Sequence, residues 1–170
     1  TETILLGGIL RVIFDESLED HEFLSNHCDG LDGLKNNLWS FDLVKVEAIS
    51  GVPQSQIQDA ARIIANSSSL SILYALETII SEIRNSCVES LVNLALVTGN
   101  IGKEFSGLYP LYPGANEQGA KDVGCVPHLL PGYRPVTDKD SRHAIEQAWG
   151  VRNISPSKGL SLAEITDAIQ

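Results

Sequence analysis

Leu94–Gly124 reads LALVTGNIGKEFSGLYPLYPGANEQGAKDVG. An apolar, helix-like run stops at Gly99, and a long segment rich in glycine, asparagine and proline follows. Irregular chain of this length is uncommon inside a compact domain and marks function or disorder. The residue types favour function. Glycines let a backbone approach another group closely, and Asn and Gln side chains each offer donors and acceptors. The segment is therefore expected to line a ligand site, with the rest of the chain positioning it.

The composition narrows the ligand. At 170 residues the chain suits one domain with a real core. Its net charge of -10 argues against nucleic acid and anionic membrane as partners, because both are bound through clustered Lys and Arg. Apolar runs such as Leu70–Leu76 are too short to span a bilayer, so no direct membrane insertion is expected. Cys28, Cys87 and Cys125 lie far apart, and His21, His27, His128 and His143 show no metal-ligand spacing. No metal site and no catalytic residue is assigned to the chain itself, and sparse thiols point to a reducing cytoplasm. The start at Thr1, without Met or a basic leader, reads as a domain taken from a longer protein.

Outward from the opening stretch, helical spacing dominates. Ile4, Leu5, Ile9, Val12 and Ile13 predict a first helix, capped by Thr1 or Thr3, in which Gly7 and Gly8 let another element approach. Ser17 and Asp20 suggest a capping box for a short helix through Leu24, and Leu34, Leu38 and Trp39 suggest another with Trp39 in the core. Leu43–Ile49 forms a further short helix ended by Gly51, and Pro53 opens one carrying Ile57, Ala60, Ala61 and Ile64. Leu70–Leu76 reads as a buried strand. Asn85 or Ser86 caps a helix with Val88, Leu91, Val92, Ala95 and Leu96 as its stripe and Gly99 as a left-handed cap. Pro127 to Pro135 reads as an extended surface path, Asp138 starts a helix stopped by Gly150, and Ser161 with Glu164 forms a capping box. The expected organisation is a helical and single βα portion over 1–100, a site loop and crossing over 101–136, and C-terminal helices with a linker over 137–170.

The ordered set NLALVTGNIG (93–102), PGANEQGAKDVG (113–124) and LPGYRPVTD…AWGV (130–151) resembles the large subunit of prokaryotic molybdopterin oxidoreductases. The wording is most like the formate dehydrogenase alpha subunit and the G subunit of respiratory complex I, the NADH dehydrogenase. TETILLGGILRVIF and AISGVPQSQIQDAARIIA resemble the segment ahead of that motif, so the likeness covers essentially the whole chain. It implies an α/β fold: the later half of a three-layer Rossmann-like molybdopterin-binding domain, mostly helical here with few strands. It also implies a bis(molybdopterin guanine dinucleotide) cofactor with molybdenum or tungsten in the parent protein. Iron–sulfur clusters and the metal-ligating residue would lie in parts of the parent outside this chain. The positions matching the cofactor motif are Thr98, Gly99, Asn100, Gly114, Asn116, Gln118 and Gly119. A buried polar dinucleotide calls for such backbone amides and amide side chains at the ends of α/β elements.

Two departures bear on function. Formate dehydrogenases resembling this chain carry Pro-Leu-Arg-Gly-Gln-Asn-Asn, whose arginine helps to hold formate. Tyr112 stands at the arginine position, and a phenol cannot form a bidentate charged clamp on a carboxylate. Glycines that the family places after the strand appear as Ala75 and Glu77. These differences lean toward the G-subunit branch: an electron-transfer subunit scaffolding a pterin-dinucleotide pocket or its remnant, in the cytoplasm or peripheral to a membrane complex, with other redox subunits as partners. The alternatives are part of a catalytic formate dehydrogenase-like molybdenum or tungsten enzyme, and an acidic helical docking domain. An apolar edge left by excision predicts self-association of the fragment.

Overall fold

The computed structural model describes residues 1–75, 79 and 81–169. They form two compact units, Thr1–Leu111 and Tyr112–Gln170. The first unit runs α1 (Glu2–Asp15), α2 (His21–His27), α3 (Leu31–Leu38), α4 (Leu43–Ser50), α5 (Gln54–Ala65), β1 (Ser71–Ala75), α6 (Arg84–Val97) and β2 (Gly107–Leu111). The second runs α7 (Glu117–Asp122), β3 (Leu129–Leu130), β4 (Arg134–Pro135), α8 (Lys139–Trp149) and α9 (Leu162–Ala168). The fold class is α/β with few strands, as the resemblance implied.

Helix α1 is the axis of the first unit and packs against α3, α4, α5 and α6. Leu10, Ile13, Val46, Ile57, Ala61 and Val97 form the centre of the core, each at most 2% exposed. Burying side chains of this size contributes about 1.5–3 kcal/mol each. The two glycines in α1 are what make the packing possible. A Cβ on Gly7 would occupy the Phe41 ring, and one on Gly8 would lie 2.9 Å from Val46 Cγ1. They serve close approach, as the sequence suggested.

β1 and β2 pair in parallel, Ser71 against Gly107 through Ala75 against Leu111, with α6 as the crossover. This βαβ unit corrects two expectations. GLYPL was expected to be irregular loop, yet it is a strand, and its proline is tolerable because the ladder does not need every N–H. β1 is not buried throughout: Leu73 is 64% exposed, since the sheet has one ladder among the described residues. Leu76 and Glu77 lie outside the described residues.

Other corrections concern faces and caps. Trp39 is 68% exposed because it follows the end of α3, where the helical face no longer continues; the Arg11 guanidinium stacks 4.1 Å from its ring centroid. Asp20, not Ser17, caps α2, accepting from the Phe23 N–H at 2.9 Å. α6 begins at Arg84, ahead of Asn85 and Ser86, and buries Cys87, Leu91, Leu94, Ala95 and Val97. It is covered by α1, α2 and β2, so one stripe does not describe it.

In the second unit Leu130, Val136 and Ile145 form a small core, with Ile154 against it. The expected surface path from Pro127 to Pro135 contains the short antiparallel pair β3–β4. Asp138 caps α8, Gly150 ends it in the left-handed region, and the Ser161–Glu164 box opens α9, all as the sequence predicted.

Candidate functional site

Thr98, Gly99 and Asn100 sit where α6 ends, in the first unit. Gly99 has φ +63° and a Cβ there would run into the Asp20 carboxylate, so the turn requires glycine on both counts. Asn100 is 1% exposed. Its Oδ1 accepts from the Leu70 N–H at 3.0 Å and the Ser106 hydroxyl at 2.9 Å. Its Nδ2 donates to the Thr98 carbonyl at 2.8 Å and Thr98 Oγ1 at 2.9 Å. The Thr98 hydroxyl donates in turn to the Leu94 carbonyl at 2.8 Å. These side chains form an internal clasp joining the start of β1, the end of α6 and the start of β2. Their polar atoms are spent inside the chain, so they offer no side-chain donor outward to a cofactor.

Gly114, Asn116, Gln118 and Gly119 lie in the second unit. Asn116 caps α7 by accepting from the Gly119 N–H at 3.2 Å, and a Cβ on Gly119 would press on the Asn116 amide. Asn116 is exposed, and its Nδ2 can still donate outward. Gly114 faces Glu117, whose Oε1 would lie 3.1 Å from an added Cβ. Gln118 Nε2 donates to Asp122 Oδ1 at 3.0 Å and also contacts the Tyr133 hydroxyl. The Tyr133 hydroxyl donates to the same carboxylate oxygen, and this bond holds the phenol above its ordinary pKa. Tyr133 itself has φ +60°, a left-handed conformation uncommon for a non-glycine residue, and its hydroxyl reaches Gln118 and Asp122 on α7. Lys121 places its ammonium 3.8 Å from the centroid of the Tyr112 ring.

The predicted residues thus fall into two groups, one in each unit. In the second group both Gln118 Nε2 hydrogens are taken by Asp122 and Tyr133, while Asn116 Nδ2 and Gln118 Oε1 have no partner among the described residues and face solvent. Asp122, Tyr133 and Lys121 join it in space but were not singled out as site residues in the sequence. Only the i, i+4 spacing of Gln118 and Asp122 hinted at one of them. Among the described residues there is no group of three or more His, Cys, Asp or Glu able to hold a metal ion.

No family model matches the chain. It is 34% identical over 167 residues to the F420-dependent formate dehydrogenase subunit alpha of Methanocaldococcus jannaschii, covering 98% of this chain and 24% of that protein. Formate dehydrogenase H of Escherichia coli is 34% identical over 161 residues, covering 95% of this chain and 22% of the relative. The assimilatory nitrate reductase catalytic subunit of Bacillus subtilis is 30% identical over 170 residues, covering 99% and 24%. The solved structure of acetylene hydratase from Pelobacter acetylenicus superposes with a TM-score of 0.59 at 30% identity, covering 63% of this chain and 15% of that one. The chain belongs to the molybdopterin oxidoreductase family that includes formate dehydrogenase alpha subunits, and it spans about a quarter of the length of the relatives it matches.

Proposed function

We propose that the chain is part of a formate dehydrogenase-like molybdenum or tungsten oxidoreductase subunit, with loop 112–119 and α7 contributing to a pterin-dinucleotide pocket. The observation that carries this is the 34% identity to formate dehydrogenase alpha subunits, which runs through nearly the whole chain. It favours the catalytic formate dehydrogenase-like reading over the G-subunit-like one, whose support is Tyr112 and the local wording of the loop. When bound, the cofactor would supply the two-electron redox centre. The chain's own residues hold and orient: Asn116 and the backbone of 114–119 offer donors to a polar dinucleotide, and Gln118 is aimed by Asp122 and Tyr133. The Thr98–Asn100 clasp fixes the βαβ crossover rather than donating to the ligand. The proposal includes other redox subunits as partners, since the archaeal relatives are named as subunit alpha. It also includes a cytoplasmic location; no described helix is long and apolar enough to cross a membrane.

Metal analysis of the full-length protein, combined with formate-dependent viologen reduction, tests the reading. Near-stoichiometric molybdenum or tungsten with formate-dependent reduction is expected. A fully folded, metal-free protein would return the argument to a vestigial pocket.

A further inference from the structure

A carboxylate can only accept hydrogen bonds, so the end of the Gln118 amide that meets Asp122 is its NH2 group. Nε2 donates to Asp122 Oδ1 at 3.0 Å, and its other hydrogen faces the Tyr133 hydroxyl, which itself donates to the same Asp122 oxygen. The three side chains close a ring in which every donor is used. Two backbone contacts hold this ring in place. The Gly132 N–H donates to the Asp122 carbonyl at 2.9 Å. Gly124, at φ +72°, lets the chain at Leu130 and Pro131 pass so closely that a Cβ would lie 2.5 Å from the Leu130 carbonyl carbon. The β3–β4 turn is thereby pinned to α7. What remains of the Gln118 amide is Oε1, exposed and without a partner among the described residues, beside an Asp122 carboxylate that is exposed as well. The neighbouring cation, Lys121, lies over the Tyr112 ring instead. The outward end of Gln118 is therefore an acceptor backed by a negative charge.

We propose that Asp122 is a positioning residue that, with Tyr133, fixes Gln118 as an outward acceptor, so that this point of the loop takes an N–H or O–H donor of its ligand and rejects a phosphate. A pyrophosphate diester has only acceptor oxygens and carries negative charge, and it would meet Gln118 Oε1 and the Asp122 carboxylate unfavourably alike. A ring N–H, an exocyclic amino group or a sugar hydroxyl satisfies Oε1. The inference rests on the proposed function for the presence of a pterin dinucleotide. Beyond that reading, it assigns the part of the molecule that Gln118 faces: a heterocycle or sugar, not the phosphates.

The test uses the full-length subunit, with retained cofactor read as oxidised-pterin fluorescence and released nucleotide per folded protein. Gln118→Leu, which has no acceptor, should lower retention about fivefold, the worth of one neutral hydrogen bond. Gln118→Glu should lose at least as much, because its carboxylate is repelled by Asp122. Adding Asp122→Asn to Gln118→Glu should bring retention back to within about twofold of wild type, since the new amide donates to the new carboxylate and an acceptor again points outward. Adding Asp122→Asn to Gln118→Leu should restore nothing. A loss that persists in the Gln118→Glu, Asp122→Asn double variant would mean that Gln118 serves as a donor. Wild-type retention in Gln118→Leu would mean that it touches no ligand. Either result overturns the inference. A full-length protein that never holds pterin would sink the proposed function, and the role of Asp122 is then read from Tyr133. The Tyr133 phenol should ionise at lower pH in Asp122→Ala than in wild type, with Tyr133→Phe identifying its absorbance step. A shift upholds Asp122 as the residue that holds the ring together, and an unmoved step overturns the inference with or without cofactor.

Discussion

Replacing Asn100 by alanine should destabilise the first unit strongly while leaving the surface loop untouched. The side chain is 1% exposed and makes four hydrogen bonds of 2.8 to 3.0 Å. Its removal does not strip every partner. The Leu70 N–H keeps a second acceptor, the Ser106 hydroxyl, at 3.2 Å. The Thr98 carbonyl and the Ser106 hydroxyl lose theirs, and a buried group left without a partner costs about 1–3 kcal/mol. Two such groups with partial relaxation give roughly 2–4 kcal/mol. Asn100→Asp keeps the shape and the acceptor but turns a carboxylate oxygen toward the Thr98 carbonyl, in a site with no compensating cation among the described residues. It should be at least as damaging near neutral pH and partly relieved in acid, where a protonated carboxyl can donate again. Urea unfolding followed by far-ultraviolet circular dichroism measures both. The reasoning fails if Asn100→Ala lies within about 0.5 kcal/mol of wild type, a change typical of a surface substitution. It would also fail if the variant kept full stability and lost only cofactor.

Three further outcomes follow from the same structure. Thiol titration should find Cys125 reactive first, Cys28 slower, and Cys87 silent until unfolding, because Cys87 is 3% exposed and burial raises its pKa; early reaction of Cys87 would mean that α6 does not pack as described. The Asp138 carboxylate is held below its ordinary pKa, first by its hydrogen bonds with Ser141, so its capping of α8 is fully present above about pH 4 and is lost as pH falls through the depressed value. Asp138→Asn should remove that acid step from the helicity of the chain, and an unchanged pH profile would show that the cap is not its source. Leu73, Tyr109 and Leu111 are each 47% exposed or more, so the isolated 170-residue chain should self-associate with rising concentration, and light scattering that reports a monomer throughout would refute this.

Much of the helical framework could be read from the sequence because its signals are local. Caps at Asp138 and Ser161, stops at Gly51, Gly99 and Gly150, and the period of α1 and α5 each depend on a few neighbouring residues. Trp39 was misplaced because periodicity was carried one residue beyond the helix it described. β2 was hidden because Gly107 and Pro110 are poor strand formers, and its existence depends on pairing with a strand far away in sequence. The clasp around Asn100 was invisible for a related reason. A Thr-Gly-Asn at a helix end looks like an ordinary cap or a ligand loop until Leu70 and Ser106 are seen beside it. The cluster of Tyr112, Lys121, Asp122 and Tyr133 likewise needs the chain to turn back from β3–β4 onto α7.

Pro110 makes the two sides of β2 unequal in donors. The Gly107 N–H points at β1, donating to the Leu70 carbonyl at 3.0 Å. Alternation along the strand then sends the amide positions of Leu108 and Pro110 to the opposite side. Proline has no N–H to place there, so a strand arriving beside β2 would meet a gap in the row of donors at its fourth residue. The outer side of β2 thus presents an incomplete row of donors, which weakens any pairing there without forbidding it.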